Sequence, residues 1–256
     1  PAYNEEENIA LFYEEAIKYI TYDDIDFDIL FVNDGSKDNT LEAIKNIQQK
    51  HIPVKYISLS RNFGKEPAMH AGLVNSKDKD FIIIIDCDLQ QPPSLIPEMI
   101  EYYREGYKIV YTKSKTRDGE PRLRRFFANL FYKIYNVYTE RPLINGAKDY
   151  QLMDRQVVDA FIKIKDNNRF IKGIFSWVGF KRQSIEFEFI PRKHGKTSWS
   201  FYSLLKYAFN GMNQFSTILL VLPILSLITG FVILGGNIGL YIAGIYTFST
   251  FIITLH

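Results

Sequence analysis

The segment Asp86 to Gln90 carries the strongest chemical signal in the chain. Asp86, Asp88 and Gln90 alternate along it, directly after the apolar run from Phe81 to Ile85. Because alternate residues at a strand end project to the same side, two carboxylates and one amide oxygen would share a face. Oxygen donors of this kind suit Mg²⁺ or Mn²⁺, which would bridge and neutralise a diphosphate. The spacing therefore predicts a divalent-metal site, and the alternative is a solvated turn.

Two further polar segments are predicted at strand ends. Asp34, in Asn33 to Ser36, would accept hydrogen bonds from a base or a ribose, or would belong to a plain turn before a helix. The segment Arg61 to Lys65 combines basic residues with the start of a helix, and both features favour anions. An ordinary loop that caps the helix explains this second segment equally well.

Acid–base and phosphate-binding candidates follow after residue 120. Asp149 is a candidate general base, and an ion pair with Lys148 or Arg155 is the alternative that the sequence leaves open. Two groups of basic residues would bind a phosphate, attach the chain to anionic lipid, or do both. The groups are Arg122, Arg124 and Arg125, and then Arg192, His194 and Lys196.

Strand-like and helical segments alternate around these candidates. Apolar periodicity predicts helices at 5–20, 40–50, 64–76, 95–105, 126–138 and 169–177. Short apolar or alternating runs predict strands at 28–32, 54–59, 81–85, 108–112, 149–154 and 183–190, and a basic loop is expected at 113–125. The alternation predicts an α/β fold with a mostly parallel sheet flanked by helices. Ligands bind beyond the carboxyl ends of such strands, where Asp34 and Asp86 fall.

The composition excludes several kinds of site. The 256 residues carry a net charge of +2, which gives no signature of nucleic-acid binding. Cys87 is the only cysteine, so an internal disulfide is impossible. The four histidines are scattered without the spacing of a zinc site.

The C-terminal fifth has a different character, since no Asp, Glu, Lys or Arg occurs from Tyr207 to Leu255. Residues 215–256 are therefore expected to form a transmembrane helical hairpin with its second helix cut short. Residues 193–214 mix lysines with aromatic side chains, which predicts an amphipathic juxtamembrane helix. Residues 1–192 would form the catalytic domain. We expect a multi-pass protein of the cell membrane with a cytoplasmic catalytic domain, truncated at both ends of the chain.

Together these motifs resemble glycosyltransferase family 2, and most of all the polyprenyl-phosphate glycosyltransferases such as bactoprenol glucosyltransferases and dolichol-phosphate mannose synthases. The resemblance runs through nearly the whole chain, and its motifs are specific as a set. The matching segments are Pro1–Glu6, Val32–Ser36, Ser60–Lys65, Asp86–Pro93, Arg169–Gly173 and Arg192–Ser198. Lys113 departs from the family, because many relatives have Arg there, and Ser198 stands where relatives often carry Lys. Lysine lacks the planar two-pronged grip of arginine.

The resemblance implies a GT-A (Rossmann-like) fold and an inverting transfer of a sugar. The donor would be a nucleotide-diphosphate sugar, with a UDP-sugar favoured, the acceptor a polyprenyl (undecaprenyl) phosphate, and the cofactor Mg²⁺ or Mn²⁺. The implied roles are donor nucleotide binding by Pro1, Tyr3, Glu5, Asp34, Asp86, Lys113 and Arg192, metal binding by Asp88, Gln90 and Asp86, catalysis by Asp149 with Asp88 and Asp86, and acceptor phosphate binding by Arg122, Arg124, Arg125 and Lys196.

The acceptor's own chemistry qualifies the role of Asp149. A phosphate monoester has a second pKa of about 6, so it is largely an anion at neutral pH and needs little help from a base. We therefore expect positioning and charge stabilisation to outweigh proton removal. The alternatives are a processive polysaccharide synthase of the same family and an inactive membrane scaffold. A lipid bilayer and a second copy of the chain are the other expected partners, and nucleic acid is not one.

Overall fold

The structure is a computed structural model that describes residues 1–48, 53–115, 122–139, 142–144, 146–165, 170–188, 208–212, 214–215, 224–229 and 244–245. The helices are α1 (Glu6–Ala16), α2 (Thr40–Ile47), α3 (Lys65–Val74), α4 (Ile96–Arg104), α5 (Arg122–Tyr138), α6 (Arg155–Lys163) and α7 (Ile171–Trp177). The strands are β1 (Ile29–Asn33), β2 (Val54–Ser58), β3 (Phe81–Ile84), β4 (Ile109–Ser114), β5 (Ala147–Asp154) and β6 (Arg182–Phe187).

The strands form two sheets, and the larger one is mixed. β1 and β2 pair in parallel, and β4 pairs in parallel with β6. The larger sheet has the order β3-β5-β4-β6, and β5 runs antiparallel to both β3 and β4. The expectation of a mostly parallel sheet is therefore wrong for β5. A run of buried apolar residues predicts a strand without fixing its direction.

Two apolar cores hold the helices against these sheets. On β1, the ring of Phe31 meets Phe12 of α1 edge to face, with centroids 6.0 Å apart, and Ile44 of α2 is fully buried in the same cluster. On the larger sheet, Met99 of α4 packs into a second cluster with Leu152 of β5. Each fully buried side chain of this size contributes roughly 1.5–3 kcal/mol. Each sheet is thus held in place by helices that pack against it.

Helices α5 and α6 differ most from the sequence prediction. Helix α5 begins at Arg122, so the basic loop expected at 113–125 is shorter. Helix α6 was not predicted at all, although Asp154 caps it by accepting a hydrogen bond from the backbone N–H of Gln156 at 2.8 Å. Its buried residues Val157 and Val158 are β-branched, which weakens the helical signal in a short segment.

The chain divides into two compact units, one with residues 1–125, 144–167 and 177–198 and the other with 126–143, 168–176 and 199–256. The second unit has an aromatic core in which Tyr135 and Phe170 are buried, with ring centroids 5.8 Å apart. Gly173 and Gly211 lie where a Cβ would press on the ring of Phe170. The predicted boundaries after residues 192 and 214 stay predictions.

The transmembrane hairpin predicted at 215–256 is not supported, and this part of the fold prediction is corrected. Across the ranges that the structure describes, no helix is both long enough and apolar enough to cross a membrane. Of the segment 215–256, the structure describes only residues 215, 224–229 and 244–245. The expectation of a multi-pass membrane protein is corrected for the same reason.

Candidate active site

Asp86 and Asp149 face each other where the β3–β5 ladder ends. In this antiparallel pair Ile84 lies opposite Gln151. Continuing the register by two residues sets Asp86 opposite Asp149. Like charges directly opposite each other on two strands are destabilising, so this pair of carboxylates needs a cation.

Lys65 supplies that cation in this structure. Its Nζ lies 2.7 Å from Oδ2 of Asp86 and 2.7 Å from Oδ2 of Asp149, and 21–25% of each of the three side chains is exposed. Burial by itself lowers the pKa of Lys65, but the carboxylates of Asp149 and Asp86 outweigh burial and hold this pKa above its ordinary value. The site therefore contains a charged ammonium that bridges two carboxylates.

The sequence does not predict this bridge. The segment Arg61 to Lys65 indicates anions only in general, and Lys148 or Arg155 is the ion-pair partner that the sequence suggests for Asp149. Asp149 does form an ion pair, but with Lys65, which the sequence had not suggested. A signal existed, because Lys65 is the first residue of α3, and a helix N-terminus disfavours a cation unless an anion is close by.

Asp34 fixes the loop that leads into Lys65. Its Oδ1 accepts a hydrogen bond from the backbone N–H of Phe63 at 2.8 Å, and its Oδ2 accepts one from Gly64 at 2.8 Å. Burial raises the pKa of Asp34, and the two amide groups oppose only part of that effect. The turn after β1 thereby sets where α3 starts and where the Lys65 ammonium lies. The predicted nucleoside contact of Asp34 stays a prediction.

At Gly35, the turn after β1 approaches the backbone of the loop before α3 closely. Its φ of +62° lies in the left-handed region. A Cβ built at this position would overlap the backbone of Arg61 and Asn62. Glycine is therefore required here for both conformation and space.

The loop after β3 is compact and rich in oxygen atoms. Asp88 is buried, and its Oδ1 accepts a hydrogen bond from the backbone N–H of Gln90 at 3.1 Å. Leu89 adopts a positive φ of 57°, which is uncommon for a leucine and makes the turn tight. Gln91 is also buried, and its Oε1 has no hydrogen-bond partner among the described residues.

These donors fit Mg²⁺ or Mn²⁺. Asp86, Asp88 and Gln90 offer two carboxylates and an amide oxygen, and the orphaned Oε1 of Gln91 lies in the same loop. Within the described part of the chain, no three His, Cys, Asp or Glu side chains are placed to hold a metal ion. A site here would thus need amide oxygens as well as carboxylates, and the metal assignment stays a prediction.

The N-terminal residues run alongside β1 and reach the same loop. Ala2, between the predicted nucleoside-binding residues Pro1 and Tyr3, forms a parallel bridge with Asn33. The carbonyl oxygen of Pro1 accepts a hydrogen bond from the thiol of Cys87, 3.6 Å from its Sγ. Burial raises the pKa of Cys87 to about 12, so this thiol is protonated at neutral pH and is not a nucleophile.

Glu5 has defined partners just before α1. Its backbone N–H donates to Oγ1 of Thr40 at 2.8 Å, and its Oε2 accepts a hydrogen bond from Nδ2 of Asn8 at 2.6 Å. The carboxylate is thus oriented by its neighbour one helical turn later. Binding of the nucleoside by Glu5 stays a prediction.

Lys113 lies on β4, the strand on the other side of β5. It pairs across the ladder with Ala147, two residues before Asp149, and its Nζ lies 3.3 Å from Oε1 of Glu186. Both side chains of this ion pair are exposed, so the pair is weak and Lys113 is open to a stronger anion.

The predicted phosphate-binding residues are only partly described. Arg122, Arg124 and Arg125 belong to the first turn of α5, and Arg125 is partly buried. Arg192 and Lys196 lie outside the described residues, as does His194. The predicted acceptor site therefore stays a prediction.

Comparison with known proteins identifies glycosyltransferases as relatives of this chain. The family model "Glycosyl transferase family 2" matches residues 1–162. An uncharacterized glycosyltransferase of Synechocystis sp. is 40% identical over 216 residues, which are 84% of this chain and 68% of that protein. A prophage bactoprenol glucosyl transferase homolog of Escherichia coli is 38% identical over 217 residues, or 85% of this chain and 71% of that protein. The chain thus spans about two thirds of the length of these relatives.

Solved structures show the same fold at low identity. The mannosyltransferase PcManGT of Pyrobaculum calidifontis, in complex with GDP-Man and Mn²⁺, superposes with a TM-score of 0.54 and 16% identity, covering 75% of this chain and 56% of that one. The GT-A (Rossmann-like) α/β fold that the resemblance implied is confirmed, without the transmembrane hairpin. The matched residues include Asp34, Lys65, Asp86 and Asp149, and the chain belongs to glycosyl transferase family 2.

Proposed function

We propose that this glycosyltransferase moves a sugar from a nucleotide-diphosphate sugar, with a UDP-sugar as the first donor to test, to a polyprenyl phosphate such as undecaprenyl phosphate. The observation that carries the proposal is the 38% identity, over 85% of the chain, to a relative named a bactoprenol glucosyl transferase homolog. The site supports it, since two carboxylates and a lysine meet at the end of β3, where such sheets bind ligands.

The proposed reaction inverts the sugar's anomeric carbon. An acceptor phosphate oxygen forms a bond to that carbon as the bond to the nucleoside diphosphate breaks, and the diphosphate leaves as an anion. Because the acceptor is already largely ionised at neutral pH, the chain's task is to align two anions and hold the developing charge. Asp149 has one oxygen on the Lys65 ammonium, which suits a positioning role.

A divalent metal, when bound, would neutralise the diphosphate as it leaves. Asp88 and Gln90, with Asp86 beside them, would hold it. Lys113 and Arg192 would contact the donor phosphates. Pro1, Tyr3, Glu5 and Asp34 would surround the nucleoside, and Arg122, Arg124, Arg125 and Lys196 would meet the acceptor phosphate.

A donor panel tests this function. The purified protein is mixed with undecaprenyl phosphate, MgCl₂ or MnCl₂, and one radiolabelled nucleotide sugar at a time: UDP-glucose, UDP-N-acetylglucosamine, UDP-galactose and GDP-mannose. We expect one donor to deliver label into the organic phase, and EDTA to abolish the transfer. Label that stays in the aqueous phase for every donor, with metal present, would overturn the proposal.

A further inference from the structure

The ammonium of Lys65 stands where a cation is needed. Asp86 belongs to the predicted metal loop, and Asp149 faces it across the β3–β5 ladder. Lys65 Nζ contacts Oδ2 of both at 2.7 Å. A divalent ion that used this oxygen of Asp86 would meet an ammonium already in contact with it.

The position of Lys65 is built into the fold. It is the first residue of α3, and the loop before it is held by the two backbone hydrogen bonds to Asp34. Gly35 packs so closely against the backbone of the same loop that no side chain would fit at this position. The backbone of Lys65 is therefore fixed, which keeps the ammonium within reach of both carboxylates.

We propose that Lys65 is the resident counter-ion of Asp86 and Asp149, and that it competes with the divalent metal for Asp86. The inference rests on the metal site of the proposed function. Two consequences follow. Metal binding to the protein alone is weak, because the ammonium must first release Asp86. An anionic donor strengthens metal binding, because its diphosphate gives the released ammonium a new partner.

Competition of this kind has a measurable size. If the ammonium occupies Asp86 in about nine molecules out of ten, the apparent metal affinity is reduced about tenfold. Removal of the ammonium should then strengthen metal binding, although it removes a group from the active site. A lysine that merely stabilised the fold would have no such effect.

The test measures Mn²⁺ binding to the full chain without donor, by isothermal titration calorimetry and by the loss of free-Mn²⁺ EPR signal. Lys65→Met should bind Mn²⁺ about tenfold more tightly than the wild type. Lys65→Arg keeps the positive charge, so its Mn²⁺ dissociation constant should stay within about threefold of the wild-type value. Lys108→Met is the matched control, because it removes another lysine–aspartate pair, with Asp154 at 2.8 Å, at the opposite end of β5. The control should leave Mn²⁺ affinity unchanged.

A second comparison covers the case in which Lys65→Met does not fold. Asp149→Asn alone leaves Lys65 on Asp86, and the double variant Lys65→Met/Asp149→Asn leaves Asp86 without the ammonium and without its facing negative charge. The double variant should bind Mn²⁺ more tightly than Asp149→Asn. Equal or weaker binding by the folded Lys65 variants would overturn the competition while leaving the metal site intact. No Mn²⁺ binding by any protein would overturn the metal site and this inference together, whereas lipid transfer in the donor assay reports on the function separately.

Discussion

At the residue scale, the carboxylates of Asp86, Asp88 and Asp149 occupy two different settings. Asp88 is buried in its own turn, with one oxygen on the backbone N–H of Gln90. Asp86 and Asp149 are a fifth exposed and share the Lys65 ammonium. In the proposed reaction the metal-binding carboxylate of Asp88 contributes most. A proton acceptor such as Asp149 contributes less, because the acceptor phosphate is already largely ionised.

Asn substitutions should separate these settings. We expect Asp88→Asn to lower kcat by about 100-fold or more, since it removes charge from the proposed diphosphate site. Asp149→Asn should lower kcat by no more than about tenfold, below the usual contribution of a general base. Transfer kinetics with the active donor, with circular dichroism to confirm folding, measure both. An inactive Asp149→Asn variant that still binds donor and acceptor would show that Asp149 is an essential base.

Gly35 should be intolerant of a side chain for reasons of geometry. Gly35→Ala forces a Cβ into the backbone of Arg61 and Asn62 at a φ of +62°, so we expect a loss of about 3 kcal/mol or more in the free energy of unfolding. Gly106→Ala is the matched control, because its φ is +88° but no described atom lies within 4 Å of the added Cβ. That control should lose about 1 kcal/mol. Urea denaturation measures the free energy of unfolding of both variants. Equal losses in the two variants would contradict the close backbone contact at Gly35.

At the element scale, ion pairs tie the start of β1 to its neighbours. Asp28 lies one residue before β1. Its Oδ2 is 2.6 Å from Nζ of Lys55 on β2 and 2.9 Å from Nζ of Lys79, which lies after the end of α3. Hydrogen bonds from Lys55 and then Lys79 lower the pKa of Asp28 below its ordinary value. Since only 17% of the Asp28 side chain is exposed, its carboxylate is better shielded from water than that of a surface pair such as Asp24 and Arg104.

The lowered pKa of Asp28 gives a pH dependence of stability with a definite sign. Its folded pKa lies below the unfolded value of about 3.9, so its contribution is present above about pH 4 and is lost as the pH falls through the folded pKa. Asp28→Asn should therefore lower stability by about 1 kcal/mol at pH 7, and the difference from wild type should shrink below pH 4. Thermal melts between pH 3 and pH 7 measure this.

The exposed pair of Asp24 and Arg104 provides the control for that experiment. The Asp24 side chain is 67% exposed, so Asp24→Asn should change stability little at any pH. A constant difference between Asp28→Asn and wild type across the pH range would contradict the role of the Asp28 charge.

The sequence predicted elements well where the signal is local and poorly where it depends on partners. Five consecutive apolar residues predicted β3, and the polar residues that follow predicted a ligand site at the end of this strand. The reversed direction of β5 and the register that sets Asp86 opposite Asp149 depend on pairing between distant segments, which no local pattern contains. The bridge by Lys65 depends on the same register, so the local signal at the start of α3 indicated a nearby anion without identifying Asp86 and Asp149 as the partners.

At the scale of the whole molecule, the fold and the family agree, and the expected membrane hairpin is corrected. An absence of charge from Tyr207 to Leu255 suggested bilayer spans. Composition alone does not fix a helix, and in the described part of the chain no helix meets the length and apolarity that a membrane requires. The case for a lipid-phosphate acceptor therefore rests on the relatives and on the site.

Mass spectrometry of the lipid product tests that central claim most directly. The wild-type protein is incubated with its active donor, a divalent metal and either undecaprenyl phosphate or undecaprenol, which lacks the phosphate. We predict a product one sugar heavier than undecaprenyl phosphate and no product from undecaprenol, because the proposed nucleophile is the phosphate oxygen. A ladder of products with several sugars, or equal transfer to the alcohol, would contradict single transfer to a polyprenyl phosphate.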